Sequence, residues 1–153
     1  MTAASTTKKK VRFTVYGEPQ GKGRPRFGAR YSPSAGRAFV NVRTPEKTVA
    51  YENLVKLEYG IQTKDFRFDE GTQLDMRILA FYSIPKSESK KRKAAMIEGR
   101  IRPVKKPDID NVVKIIADSL NKIAYKDDTQ IVDCQCRKFY SEEPRVEVTI
   151  QEV

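Results

Sequence analysis

Lys105-Lys106-Pro107-Asp108-Ile109-Asp110-Asn111 opens a stretch that runs on through Asp118-Ser119-Leu120-Asn121 to Tyr125-Lys126-Asp127-Asp128-Thr129-Gln130-Ile131. Within it Ile109, Val112, Val113, Ile116, Leu120 and Ile123 recur at three- and four-residue spacing. That predicts an amphipathic helix over 110–123 with its apolar face on a core. Pro107 restrains the chain just before the helix, and Asp108 or Asp110 can cap it. Asp127-Asp128 follows by a short turn and precedes an alternating run, which reads as a strand over 129–140.

The same stretch is anomalous in charge. Six of the chain's 20 acidic residues lie between Asp108 and Asp133, although the protein carries a formal +10. Asp108 and Asp110, two apart at the helix start, can converge on one point, and a turn can bring Asp127-Asp128 towards them. Oxygen-only clusters of this kind suit Mg²⁺ or Mn²⁺, which keep several waters and leave room for a phosphate oxygen. The plainer reading makes one Asp a helix cap, Asp110–Lys114 a surface i,i+4 pair and Asp127-Asp128 ordinary turn chemistry.

These residues resemble the RusA family of Holliday junction resolvases. The shared pattern is D-x-D-N-x-x-K from Asp108 to Lys114, D-x-L from Asp118, and aromatic-x-D-D-x-Q from Tyr125 to Gln130. Gly17-Glu18-Pro19-Gln20-Gly21-Lys22-Gly23-Arg24-Pro25-Arg26 also resembles the family's early P-x-x-K-x-R-P-R stretch. The chain departs from the family pattern at Tyr125, where many members carry Trp, and at Lys122-Ile123, where Gly commonly follows the Asn. The resemblance implies a homodimeric, metal-dependent endonuclease that resolves four-way DNA junctions by paired symmetric nicks in recombination and repair. It further implies that Asp108, Asp110 and Asp128 hold one or two Mg²⁺ or Mn²⁺ and that Lys114 is catalytic. Asp127 is the second choice of ligand, and Asp118 a supporting residue.

Charge elsewhere agrees with a polyanionic partner. Residues 1–30 carry eight Lys/Arg against one acid, and residues 86–106 carry nine against two. Nucleic acid is the natural partner of two such segments flanking an acidic cluster. The expected DNA contacts are Lys22, Arg24 and Arg26 in the first segment, and Lys90, Lys91, Arg92, Lys93, Lys105 and Lys106 in the second. Gly21-Lys22-Gly23-Arg24 is no Walker A loop, because the G-K-[ST] ending is missing. The chain contains no histidine, so histidine-activated hydrolysis is excluded and carboxylates, lysine and metal must suffice. Cys134 and Cys136 alternate with Val132 and are expected to face the core. Two cysteines without histidine make no zinc framework. With no apolar run of membrane-spanning length and no signal segment, the expected location is the reducing cytoplasm.

At 153 residues the chain is expected to form one domain. Residues 1–9 read as a disordered basic tail and 10–153 as the endonuclease domain. A first strand is expected over 10–17, a long basic loop over 17–37, and a short strand over 39–42 pairing with that region. Helix 44–60 would be capped by Thr44 and ended by Gly60. A long strand covers 73–84, with Leu74, Met76, Ile78, Ala80 and Tyr82 on one face. A basic helix over 87–98 would be capped by Ser87, and strand 144–153 would form a hairpin with 129–140. The sum is an α+β domain, a mixed β-sheet with helices packed against it. The alternatives are a flap-type or other structure-selective nuclease, a DNA-binding module without catalysis, and a protein-interaction adaptor.

Overall fold

The structure is a computed structural model and describes residues 7–23, 26–32, 34, 36–43 and 45–153. Its elements in chain order are β1 (Lys10–Tyr16), β2 (Arg26–Ser32), β3 (Arg37–Arg43), α1 (Glu46–Thr63), β4 (Leu74–Ser83), α2 (Lys90–Ile97), α3 (Ile109–Ser119), a 3-10 turn (Asp128–Gln130), β5 (Ile131–Ser141) and β6 (Arg145–Glu152). Four strands make one mixed sheet in the order β1-β6-β4-β5, and β2 pairs with β3 as a separate antiparallel ribbon. Only the β4–β5 pair is parallel. This is the expected α+β domain.

The pleat of β4 sets the core. Successive side chains point to opposite faces, so Leu74, Met76, Ile78, Ala80 and Tyr82 share one side, and each is 1% exposed or less. Phe13 and Val15 of β1 and Val146, Val148 and Ile150 of β6 extend that floor. Tyr51, Val55 and Tyr59 of α1 cover it from above, together with Val112, Ile115 and Ile116 of α3. Phe13 meets Tyr59 edge-on at 5.2 Å between ring centres, a favourable quadrupole geometry. Burying side chains of this size contributes about 1.5–3 kcal/mol each. The one-sided stripe of α3 is therefore enough to fix which way the helix faces.

Several sequence expectations need correction. The 17–37 segment is not all loop, because 26–32 forms β2. The short strand expected over 39–42 is part of β3, which does pair with it. Glycine and proline density hid a strand whose hydrogen bonds are local. Helix α1 runs past Gly60 and stops where Lys64 (φ 55°) and Asp65 (φ 57°) turn left-handed. A Cβ at Gly60 would sit 2.7 Å from the Asp65 Oδ1, so a side chain there would displace only the end of the Asp65 carboxylate. Pro45 occupies the N-cap without a side-chain bond, and Thr44 lies outside the described residues, as do residues 1–6 of the expected tail. Lys9 is tied in, its carbonyl accepting from the Glu152 N–H at 3.0 Å. Helix α2 is capped by Ser89, whose hydroxyl accepts from the Arg92 N–H, not by Ser87.

Strands β5 and β6 do not form a hairpin. They flank β4 on opposite edges, so the 141–144 connection carries the chain across the end of the central strand. The cysteines are also placed differently. Cys134 and Cys136 lie opposite Met76 and Ile78 on the core side, but β5 is the edge strand. Cys134 is exposed, Cys136 is only partly buried, and Val132 is 53% exposed.

Candidate functional site

The first turn of α3 is built by its neighbours. The Tyr82 hydroxyl, at the end of β4, donates to the Pro107 carbonyl at 2.5 Å. Asp108 is then the N-cap: its Oδ1 accepts from the Asn111 N–H at 3.1 Å. That settles which aspartate caps the helix. Asp110, in the first turn, is exposed and makes no hydrogen bond or ion pair among the described residues. The second oxygen of Asp108 is likewise unengaged. Asp108 lines a cleft of about 700 Å³ together with Glu18, Gln20, Lys22, Lys105, Lys106 and Asn111 among others. The loop closing the cleft needs Gly21, because a Cβ there would lie 2.9 Å from the Asn111 Cβ and 3.0 Å from the Pro107 Cβ.

More than two turns further on, Asp118 gathers two ammonium groups. Lys22 Nζ, 96 residues away in sequence, donates to its Oδ2 at 2.6 Å, and Lys114 Nζ lies 3.4 Å from the same oxygen. Burial pushes the Asp118 carboxyl up, but the Lys22 hydrogen bond and the charges of Lys22 and Lys114 outweigh it and hold it below the ordinary value. The bond to Asp118 raises the Lys22 ammonium in turn. Both shifts stabilise the fold across neutral pH. The carboxylate contribution is lost as pH falls through the depressed Asp118 value, and the lysine contribution as pH rises through the raised Lys22 value. Asp118→Asn should therefore cost about 1–3 kcal/mol at neutral pH, the range for losing a charged hydrogen bond. In urea denaturation the gap to wild type should close below the ordinary carboxylate range; a gap of constant size down to acid pH would contradict the pairing.

The far end of α3 holds the second pair of aspartates. Tyr125 is fully buried and donates to the Ala117 carbonyl at 2.7 Å. Asn121 then grips Asp128 twice: its Oδ1 accepts from the Asp128 N–H at 2.8 Å, and its Nδ2 donates to the Asp128 Oδ2 at 3.4 Å. Asp127 caps the 3-10 turn, and Gln130 closes a capping box by returning its Oε1 to the Asp127 N–H at 3.4 Å. The Gln130 amide also donates at 3.1 Å to the carbonyls of both Asp69 and Thr72. Burial, then the side-chain hydrogen bond with Asp127, pushes the Asp128 carboxyl up, against the Asn121 bond, and the charges of Asp127 and Asp118 add to the rise. Just past the end of α3, before the Asp127-Asp128 turn, Lys122 sits at φ 65°. A left-handed turn here is easiest for glycine, which gives the departure at this position a physical meaning.

The expected site residues thus fall into two groups on one helix. Asp108 and Asp110 stand at its start, and Asp128, beside Asp127, stands at its end. Asp110 and Asp118 alone are eight residues apart, about 12 Å along the axis. Among the described residues no three acidic, cysteine or histidine side chains converge as a metal cage. The Asp108/Asp110 pair nonetheless fits Mg²⁺, which typically takes one or two carboxylates, waters and substrate phosphates. Of the expected DNA contacts, Lys22 is held on Asp118, and Lys105 and Lys106 line the cleft. Lys90, Lys91, Arg92 and Lys93 lie on α2, with Arg92 paired to Glu88 at 2.7 Å. Arg24 lies outside the described residues, and Arg26 begins β2. Sequence reasoning assigned no role to Asn121 or Gln130. Both stand in the quoted motifs, but their partners are invisible without the fold.

Comparison with known proteins gives the family. The family model described as "Endodeoxyribonuclease RusA" matches residues 16–151. The uncharacterised protein YqaN of Bacillus subtilis (strain 168) is 41% identical over 145 residues, covering 94% of this chain and 96% of that one. The crossover junction endodeoxyribonuclease rusA of Lactococcus phage r1t is 33% identical over 87 residues, which is 56% of this chain and 60% of the phage protein. No helix among the described residues is long and apolar enough to cross a membrane. The match spans both carboxylate pairs, Lys114 and nearly the whole folded chain, and the chain belongs to the RusA endodeoxyribonuclease family.

Proposed function

We propose that the protein is a metal-dependent endonuclease that resolves four-way DNA junctions by paired nicks, acting in recombination and repair. The observation that carries this reading is Asp108, which lines the cleft and keeps one carboxylate oxygen unengaged, beside the exposed and unpaired Asp110, one helical turn before Lys114, in a chain of formal charge +10. Asp108 and Asp110 would hold Mg²⁺ or Mn²⁺, which when bound polarises the scissile phosphate and acidifies a water. Lys114, paired with Asp118, would stabilise the developing phosphorane charge. Lys22, Lys105 and Lys106 line the approach, Lys90–Lys93 add basic surface on α2, and Arg24 and Arg26 are proposed as further DNA contacts from the sequence. The protein acts as a soluble cytoplasmic enzyme.

Asp128 belongs to the proposed centre as its third carboxylate. In the single chain it stands at the other end of α3, so the proposal has it reach the ion only in the assembled DNA complex. This separates two variants. Asp108→Asn should weaken Mn²⁺ binding by the free protein, whereas Asp128→Asn should leave it nearly unchanged, yet both should lose junction cleavage. Calorimetric Mn²⁺ titration with gel assays of cleavage makes the comparison. Equal Mn²⁺ affinity in all three proteins would remove the Asp108 ligand, and cleavage persisting in EDTA would refute metal dependence altogether.

We take the acting unit to be a homodimer, since two matched nicks need two sites related by a two-fold axis. Helix α1 supports this. Beside its buried stripe it presents Leu54, Leu57 and Ile61 at three- and four-residue spacing, 36%, 58% and 65% exposed, an apolar seam that suits a second helix. Leu57→Glu with Ile61→Glu should halve the mass seen by light scattering while leaving the fold intact. A wild-type protein that is monomeric both free and on DNA would end the dimer proposal.

A further inference from the structure

The face of the sheet turned away from the core carries a feature that the proposed centre does not use. Phe81 of β4 lies opposite Phe139 of β5 and Arg145 of β6. The two rings stack, with centres 5.9 Å apart and planes at 27°. Three guanidinium groups lie over them: Arg102 at 4.4 Å and Arg137 at 5.0 Å from the Phe139 ring centre, and Arg145 at 4.0 Å from that of Phe81. Five side chains from three strands and the segment after α2 therefore form one row.

The row is pre-organised and unequally satisfied. Arg145 is engaged, donating to the Ser141 hydroxyl at 3.1 Å and the Glu143 carbonyl at 2.8 Å, with Glu147 3.8 Å away. Arg102 is anchored by one bond only, from its Nε to the Lys138 carbonyl at 2.8 Å. Among the described residues its two terminal amino groups have no acceptor, and neither does any donor of the Arg137 guanidinium. Both are exposed. A guanidinium laid on an aromatic face keeps its edge donors free and loses little freedom when they bind. Fixed free donors with no carboxylate beside them match the oxygens of a phosphate backbone, where arginine forks bind two at once.

The row also stands apart from the cleft. Lys138, whose carbonyl holds Arg102, sends its own side chain to the opposite face, where its Nζ donates to the Lys105 carbonyl at 2.6 Å. Edge strand β5 thus has the cleft side on one face and the arginine row on the other. A linear duplex engaged at the cleft needs only the first face, whereas a branched substrate has further arms to place on the second.

We propose that Arg102 and Arg137, fixed on Phe139, form a second DNA-binding site that grips the phosphate backbone of a junction arm not being cut. This rests on the nuclease reading above and adds to it a source of preference for branched over linear DNA. The test is Arg102→Gln with Arg137→Gln, two exposed positions outside the catalytic machinery, assayed on a four-way junction in EDTA over a range of salt. Each neutralised phosphate contributes about 0.9 to the log–log salt slope, so the slope should become shallower by about 1.8, with junction affinity falling on the order of tenfold at physiological salt. In Mg²⁺ the junction KM should rise while kcat stays at the wild-type value, and affinity for a short linear duplex should change least. An unchanged salt slope in a variant of an otherwise DNA-binding protein overturns this site alone. A shift in oligomeric mass would assign the row to a second copy and overturn it as well. A wild-type protein that binds no DNA overturns the nuclease reading with it.

Discussion

Asp110→Asn should keep junction binding and lower the rate of strand cleavage on the order of a thousandfold. The substitution is nearly isosteric. Asp110 does not cap α3, since Asp108 has that position, so the fold loses only the favourable placement of a negative charge at a helix N-terminus. That is about 0.3–1 kcal/mol, far too little to unfold the domain. The proposed metal shell loses Asp110, the one of its two α3 carboxylates that makes no other bond among the described residues. If that removes about 4 kcal/mol of transition-state stabilisation, the rate falls by three powers of ten. Relief of repulsion between carboxylate and phosphate should leave affinity unchanged or slightly higher. Asp108→Asn should behave alike, because Asn caps about as well as Asp. The check is single-turnover cleavage with a gel-shift titration on the same junction. Near-normal cleavage by Asp110→Asn would leave this carboxylate without a function.

The second large effect is on stability. Tyr125 is fully buried, its hydroxyl bonded to the Ala117 carbonyl at 2.7 Å, and it joins the end of α3 to the turn carrying Asp127 and Asp128. Tyr125→Ala should cost about 3–5 kcal/mol, a large share of a typical domain's total stability. Tyr125→Phe keeps the ring and should cost only about 1 kcal/mol through the lost hydrogen bond. Chemical denaturation of the three proteins gives both numbers. An Ala variant as stable as the Phe variant would show that the ring does not hold the turn.

What could be read from the sequence was what is local. The stripe of Val112, Ile116 and Leu120 has a single period and one buried side, so α3 and its orientation were legible. The same holds for β4, whose alternation is nearly perfect. The β2–β3 ribbon was half concealed, because its first strand is built from the glycine- and arginine-rich composition that usually marks loops. Strand order was not legible at all: nothing in 129–153 states that β6 crosses to the other side of β4. The two aspartate pairs were visible as motifs, but their separation along α3 depends on where the turn after Leu120 leads. Asp118 read as a supporting residue, and its partner Lys22 is 96 residues away. The arginine row gathers residues 81, 102, 137, 139 and 145, which no sequence window contains.

The most direct measurement uses wild-type protein, Mg²⁺ and a synthetic four-way junction with each strand labelled in turn, alongside a linear duplex and a flap of matched sequence. The account predicts that the junction is cut in two opposed strands at symmetry-related positions, giving nicked linear duplexes, while duplex and flap stay largely intact. Equal cutting of flap and junction, or no cutting of the junction in Mg²⁺ or Mn²⁺, would contradict it.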